Sequence, residues 1–193
     1  MSDVIRVFVE KREGFDVEAR AMLADLRDNL GLKEIRGLRL LNRYDIEGLS
    51  PEDFARVRGI VFSEPNVDDV YDETFALGEG WHVFAMEYLP GQYDQRADSA
   101  AQCVQLLTQG EYPRVVTARV VCLYGRMSDA EFERVQHYLI NPVESRLASP
   151  DKPEHVGMSA ARPENVKRVN GFIGWTDDEV GAYWKSMGFA MSE

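Results

Sequence analysis

The densest group of side chains able to form directional hydrogen bonds lies in residues 89–100, which read Leu-Pro-Gly-Gln-Tyr-Asp-Gln-Arg-Ala-Asp-Ser-Ala. The Pro-Gly pair predicts a turn, and the first aspartate is placed to cap a helix that follows it. Arginine can pair with a carboxylate through two parallel bonds, and unpaired N–H groups at a helix start can receive an anion. One interpretation is a turn that only caps the helix. The other is a docking surface for another domain, with candidate contact residues Gln92, Asp94, Gln95, Arg96 and Asp98.

The residue types that carry most enzyme chemistry do not occur in the spacings that such chemistry requires. The histidines His82, His137 and His155 form no i, i+4 pair of the kind that binds zinc. Cys103 falls in a predicted helix and Cys122 in a predicted apolar strand, so we expect both to be small core residues. Phosphate-binding glycine loops and the serine-hydrolase motif G-x-S-x-G are absent. We therefore expect no catalytic, metal-binding or cofactor-binding residue in this chain.

An acidic cluster, Asp68, Asp69, Asp72 and Glu73, could in principle hold a divalent cation, because hard cations prefer several oxygen ligands. The cluster lacks the D-x-D-x-D-G loop that arranges such ligands. We therefore expect a solvated face or a helix cap there.

Composition and charge exclude several classes of partner. The chain has 193 residues and a formal net charge of −11, which repels phosphate backbones and anionic lipid, so we expect neither nucleic-acid nor membrane binding. The N-terminus has no basic segment followed by an apolar one, so it does not resemble a signal peptide. We expect a cytoplasmic protein with free thiols.

Two stretches of the chain repeat one pattern. Residues 7–10 match 84–87 at a spacing of 77, and 50–57 match 128–135 at a spacing of 78, with four of eight pairs identical. Residues 39–44 match 119–124 at a spacing of 80. This similarity predicts a tandem duplication.

Each copy predicts a strand–helix–strand–helix unit with an optional third strand, so the expected fold class is α+β. The predicted elements of the first copy are a strand at 5–10, a helix from the Asp16 cap to Gly31, a strand at 38–46, a helix from Ser50-Pro51, and a strand at 67–71. Those of the second are a strand at 82–88, a helix at 96–108, a strand at 118–124, and a helix between the 128–131 capping box and Asn141-Pro142. Helices on one face of a sheet leave the other face apolar and open. We expect the two sheets to stack face to face as a pseudo-dimer, with the helices outside.

The expected domain organisation follows from this repeat. Residues 1–78 and 79–148 form the two copies, and the proline-interrupted segment 149–165 forms a linker. Residues 166–193 begin a further helical domain, whose helix starts at the capping box 176–179. The apolar residues at 189–193 suggest that the chain continues beyond Glu193.

Residues 87–100 resemble the signature of the N-terminal domain of the large, single-chain phosphoribosylformylglycinamidine synthases. Residues 8–11, 29–32 and 138–146 fit the same family. The resemblance implies two PurS-like repeats that mimic a dimer of the small subunit of multi-subunit relatives, followed by the start of a helical linker domain. It also implies that ATP and magnesium act in the complete enzyme and not in this chain.

The role implied by the resemblance is non-catalytic. The complete family enzyme uses ATP and glutamine to convert formylglycinamide ribonucleotide to formylglycinamidine ribonucleotide in purine biosynthesis. Its PurS-like part bridges the glutaminase and synthetase parts and helps enclose the path of ammonia. An alternative of another class is a free-standing small-molecule binding or regulatory module, which the 94–98 turn and the open sheet face would serve.

Overall fold

A computed structural model describes residues 4–157 and 168–187 of the chain. The chain divides into two compact units, Met1–Met158 and Ser159–Glu193. The fold class is α+β, as the sequence predicts. The described part of the first unit holds a six-stranded antiparallel sheet and four α-helices, and that of the second holds one α-helix.

The strands and helices lie close to their predicted positions. The strands are β1 (Ile5–Lys11), β2 (Ile35–Glu47), β3 (Asp68–Asp72), β4 (Trp81–Tyr88), β5 (Arg114–Gly125) and β6 (Ser145–Leu147). The helices are α1 (Val17–Asn29), α2 (Pro51–Val57), α3 (Gln95–Thr108), α4 (Asp129–Leu139) and α5 (Asp177–Ser186). A π-helical turn, Arg58–Phe62, continues α2, and a 3-10 turn, Phe172–Gly174, precedes α5.

Local sequence signals account for several helix ends. Ser50 Oγ accepts a hydrogen bond from the Asp53 N–H at 3.0 Å, and proline at the first position of α2 needs no such partner. The predicted capping boxes at the starts of α4 and α5 are both formed. Gly31 follows α1 with a φ of +70°, a conformation that glycine adopts without strain.

The expected stacking of two sheets is wrong, because all six strands belong to one sheet. The strand order is β3-β1-β2-β5-β4-β6, so the two halves meet edge to edge at β2 and β5. Twelve residue pairs join these strands, from Ile35–Gly125 to Glu47–Arg114. Backbone pairing removes two exposed strand edges, which face-to-face stacking would have left open.

The strand registers of the two halves correspond at one constant spacing. Val7 pairs with Tyr44, and Phe84, 77 residues after Val7, pairs with Val121, which lies 77 residues after Tyr44. The same spacing relates the Val9–Val70 pair to the Met86–Leu147 pair. The alignment of 39–44 with 119–124 at a spacing of 80 is therefore wrong by three residues. An odd shift turns each side chain to the opposite face of the sheet.

Helices α1 to α4 cover one face of the sheet, and each of the two core clusters on this face contains residues from both halves. In the first cluster, Val57 of α2 and Val104 of α3 pack with Val7 and Ile46 of the strands. In the second, α1 and α4 pack together on the sheet through Leu26, Phe84, Leu123 and Val135. The two halves therefore share their cores.

The opposite face of the sheet is covered by side chains from a connecting segment of the same chain. Phe8, Leu41 and Cys122 are buried there beneath Phe75 and Leu77 of the β3–β4 connection. This cover removes the need for a second sheet on that face.

Residues 149–157, here called the strap, lie docked on the sheet. Arg43 Nη1 donates to the Ser149 carbonyl at 2.7 Å, and Arg6 donates to the carbonyls of Pro150 at 2.7 Å and Asp151 at 3.0 Å. Val156 is 2% exposed, and its N–H donates to Glu47 at 2.9 Å. The first nine residues of the expected linker are thus part of the first unit. Residues 158–165 lie outside the described residues.

The strap covers a buried ionic cluster. Arg6 binds both carboxylate oxygens of Asp45, at 2.6 and 2.9 Å, and Arg43 Nε lies 3.3 Å from Asp45. None of the three residues is more than 5% exposed. Burial lowers the pKa of Arg43, and Asp45 opposes that shift. The strap carbonyls accept hydrogen bonds from both buried guanidinium groups, whose donors would otherwise lack partners.

Asp45→Asn should destabilise the first unit by about 3–5 kcal/mol, because it leaves two buried guanidinium groups without a counterion. Asp69→Asn is the matched control. Asp69 pairs with Arg12 at 2.8 Å on the surface, and that substitution should cost only ~0–1 kcal/mol. Urea unfolding of both variants provides the comparison, and equal midpoints would contradict the predicted difference.

Two truncations distinguish a docked strap from a linker. A chain that ends after Ala148 loses three carbonyl acceptors of buried guanidinium groups, so its free energy of unfolding should fall by at least about 2 kcal/mol. A chain that ends after Gly157 keeps the strap, so it should unfold at a temperature close to that of the first unit in the full-length chain. Calorimetric unfolding of the two chains measures the difference, and similar stabilities would identify 149–157 as a linker.

Candidate docking surface at the start of helix α3

The predicted turn before α3 is formed. Gly91 has a φ of +92°, which favours glycine, and the Gln92 N–H donates to the Leu89 carbonyl at 3.0 Å. Asp94 is the N-cap residue of α3, with extended backbone angles. The turn thus places the five candidate residues at the first turn of α3 or just before it.

The Asp94 carboxylate binds inside the protein. One oxygen accepts from the Ala97 N–H at 2.9 Å, and the other accepts from the hydroxyl and N–H of Thr117 in β5, at 2.7 and 3.2 Å. The chain's own carboxylate therefore occupies the position that an external anion would take at this helix start. Asp94 caps α3 and ties it to the sheet.

Asp16 occupies the corresponding position before α1 but does not cap it, so that prediction is wrong. Its carboxylate accepts from the Gly14 N–H at 3.1 Å and lies 3.3 Å from Arg20. The backbone of Asp16 has a ψ of 36°, outside the extended range in which a capping side chain reaches the helix N–H groups.

Asp98 holds two tyrosine side chains in place. Its carboxylate accepts from Tyr93 at 2.7 Å, from Tyr112 at 2.8 Å and from Gln102 at 2.7 Å. These hydrogen bonds lower the pKa of Asp98 below its usual 3.8, and the bond from Tyr93 has the largest effect, with that from Tyr112 next. The rings of Tyr93 and Tyr112 are 69% and 47% exposed. They are fixed surface aromatics, which need little further ordering to bind a partner.

Arg96 has no ionic partner within the described part of the chain. Its side chain is exposed, and its Nη1 lies 3.5 Å from the Tyr44 hydroxyl. Gln92 and Gln95 are also exposed, and Gln92 makes one long contact, 3.5 Å to the Val143 carbonyl. Of the five candidates, Asp94 and Asp98 are therefore engaged internally, whereas Gln92, Gln95 and Arg96 are available to a partner.

A cleft of about 510 Å³ lies beside Arg96, and we call it the Arg96 cleft. Its lining includes Asn42 and Tyr44 of β2. Phe15 and Ile60 also line it, and they are 55% and 69% exposed. It therefore combines one unpaired guanidinium with an apolar rim.

A smaller cleft of about 170 Å³ lies at the equivalent place in the second half. Four of its lining residues lie 77 positions after residues that line the Arg96 cleft. In chain order, Met86, Glu87, Arg119 and Ser145 correspond to Val9, Glu10, Asn42 and Asp68. The two clefts thus occupy matching positions and differ mainly in size and side chains.

The acidic cluster around β3 is a set of separate ion pairs. Asp68 pairs with Lys11, Asp69 with Arg12, Asp72 with Arg58 and Glu73 with Lys152, at distances of 2.8 to 3.0 Å. Within residues 4–157 and 168–187, no group of three or more His, Cys, Asp or Glu residues is placed to hold a metal ion. Asp69, Asp72 and Glu73 form a solvated, charge-paired edge, which also discourages pairing with another strand, whereas Asp68 is 6% exposed and accepts from the Glu64 N–H at 2.7 Å.

The two cysteines differ in environment. Cys122 is fully buried, and burial raises the pKa of its thiol to about 12, so it is not a nucleophile at neutral pH. Cys103 is exposed on α3, so the expectation of a core position is wrong for it. No helix in the described segments is long and apolar enough to span a membrane.

Comparisons with known proteins returned no matching family model, no matching curated protein and no matching solved structure.

Asp94→Ala should lower the free energy of unfolding by about 2–3 kcal/mol, because it removes an N-cap and two bonds to Thr117. Asp16→Ala is the matched control at the corresponding position before α1. Its carboxylate makes no capping bond to that helix, so we expect a loss below about 1 kcal/mol. Urea unfolding tests both variants. Equal losses would contradict the structural role assigned to Asp94.

Proposed function

We propose that this chain is the N-terminal, PurS-like part of a phosphoribosylformylglycinamidine synthase, followed by the start of its helical linker domain. In this proposal it is a structural and interaction domain of a cytoplasmic ligase of purine biosynthesis. It bridges the glutaminase and synthetase parts and helps enclose ammonia transfer. ATP and magnesium act elsewhere in the complete enzyme.

The symmetric arrangement of the sheet supports the duplication in this proposal. The strand order runs β3-β1-β2 in one half and β6-β4-β5 in the other, and the registers correspond at a spacing of 77. A tandem duplication accounts for both features. The two copies are then related as a pseudo-dimer whose contact is the pairing of β2 with β5.

The unpaired Arg96 is the observation that carries the interaction role. Of the five candidate residues, it alone is charged and lacks an internal partner in the described segments, beside a cleft with an apolar rim. Arginine and exposed aromatic residues are enriched among residues that dominate binding energy at protein interfaces. The resemblance of residues 87–100 to the family signature points to the same turn.

The second candidate function is a free-standing small-molecule binding or regulatory module. The volume of the Arg96 cleft, about 510 Å³, favours it, since ligand pockets span roughly 300–1,000 Å³. Calorimetric titration of the chain with glutamine, ATP and formylglycinamide ribonucleotide separates the two functions. Tight binding of any one of them to the isolated chain would favour the module.

The interaction role predicts a phenotype that appears only in the complete enzyme. Arg96→Ala should change the stability of the isolated chain by only ~0–1 kcal/mol, because the side chain is exposed. In the complete enzyme it should loosen docking, so that more glutamate than formylglycinamidine ribonucleotide is formed per unit time. Arg126→Ala, at an exposed arginine outside both clefts, is the control.

Two results would contradict the proposal. One is ADP release from the pure chain in the presence of ATP, glutamine and ribonucleotide. The other is an Arg96→Ala enzyme that keeps a one-to-one ratio of the two products while the isolated variant chain is markedly destabilised.

A further inference from the structure

The two halves carry different charges at two matching positions, one at a helix start and one on a central strand. Glu18 and Arg96 are each the second residue of their helix, because α1 begins at Val17 and α3 at Gln95. Asn42 and Arg119 face each other across β2 and β5 and lie 77 residues apart. The matching helix–strand pairs are therefore Glu18 with Arg119 and Arg96 with Asn42.

One of these pairs is a completed ion pair, and the other is not. Glu18 accepts a hydrogen bond from Arg119. Arg96 is matched with the uncharged amide of Asn42, and both line the Arg96 cleft. Arg119 lines the cleft of about 170 Å³, whereas Glu18, Asn42 and Arg96 line the Arg96 cleft of about 510 Å³. Arg96, which stands at the position matching Glu18, thus lacks the oppositely charged partner that Glu18 has in Arg119, and the cleft beside it has space for one.

Most of the other charges around the Arg96 cleft are already paired. The pairs formed by the lining residues are Glu10 with Arg39, Lys11 with Asp68 and Glu64, Asp16 with Arg20, and Glu18 with Arg119. Among the described lining residues, only Arg96 and Glu13 have no ionic partner. Arg96 is therefore the one lining cation free to bind an incoming anionic group.

We propose that the Arg96 cleft receives a protein segment that supplies one carboxylate to Arg96 and one apolar side chain to the rim formed by Phe15 and Ile60. This inference rests on the proposed function, since the partner is the remainder of the synthase. The carboxylate supplies the opposite charge that the amide of Asn42 does not supply, and the planar guanidinium can bind it through two parallel bonds. The unpaired Glu13 repels a second acidic group, so the cleft selects a single carboxylate and not an acidic run.

The test measures binding of the full 193-residue chain to the remainder of the synthase, produced as a separate polypeptide. Arg96→Gln should weaken the Kd at least tenfold, the order of magnitude for losing one partner of a desolvated charge pair. Arg96→Lys keeps the charge but not the two parallel bonds, so its Kd should fall between those of wild type and Arg96→Gln. Ile60→Ser tests the apolar rim, and we expect a Kd several-fold weaker. Arg126→Gln is the matched control and should stay within about twofold of wild type.

Thermal unfolding of each variant shows whether it is folded, and the outcomes separate this inference from the proposed function. If wild type binds and Arg96→Gln binds equally well, the cleft proposal is wrong while the proposed function stands. If wild type does not bind the remainder at all, both are wrong. If glutamine or acetate alone binds with a dependence on Arg96 while the remainder does not bind, the cleft is a small-molecule site and the proposal is overturned.

Discussion

The backbone pairing of β2 with β5 joins the two halves of the first unit into one sheet. These are the two long strands, and their antiparallel ladder joins the halves at the middle of the sheet. Because the strands meet edge to edge, the four helices of the first unit share one face, where α1 packs with α4 and α2 with α3. The same pairing brings Glu18 to Arg119 and Arg96 to Tyr44. The two halves are therefore one cooperative core, and a break between residues 78 and 79 would not separate two stable domains.

The face opposite the helices carries different side chains at matching positions of the two halves. The buried charged residues Arg6, Arg43 and Asp45 lie 77 residues before Val83, Val120 and Cys122. At these three positions the first half of this face is ionic and the second half is apolar. A strap that follows the second half can cover only one of them, and its backbone carbonyls suit the ionic half. The apolar half needs only the side chains of the β3–β4 connection.

The sequence predicted the elements well because their signals are local. Caps at Ser50 and Ser128 mark helix starts, and alternation of apolar residues marks the strands. The arrangement of the sheet was missed because an apolar face does not specify whether it will be covered by a second sheet or by loops. The strap was missed for a related reason. It is held through backbone carbonyls, which every residue has, so its sequence resembles an ordinary linker.

The turn and the cap before α3 were predicted in position, but the bonds that Asp94 and Asp98 make to distant residues were not. Asp94 and Asp98 have short polar side chains at a helix start, which predicts a cap or a contact surface equally well. Their partners Thr117 and Tyr112 lie 23 and 14 residues further along the chain, beyond the reach of local patterns. Because of these bonds, the two carboxylates no longer offer unpaired charge to a partner, whereas Arg96 has no ionic partner within the described segments.

A partner that carries a carboxylate into the Arg96 cleft must approach a chain with a net charge of −11. At distances beyond roughly 8–10 Å the field of the whole molecule governs association, and it favours a partner that is neutral or basic overall. At contact, the local pairing with Arg96 governs the register of the complex. The two requirements are compatible only if the acidic group is an isolated one on a partner surface that is otherwise not acidic. The unpaired carboxylate of Glu13 imposes the same condition at short range.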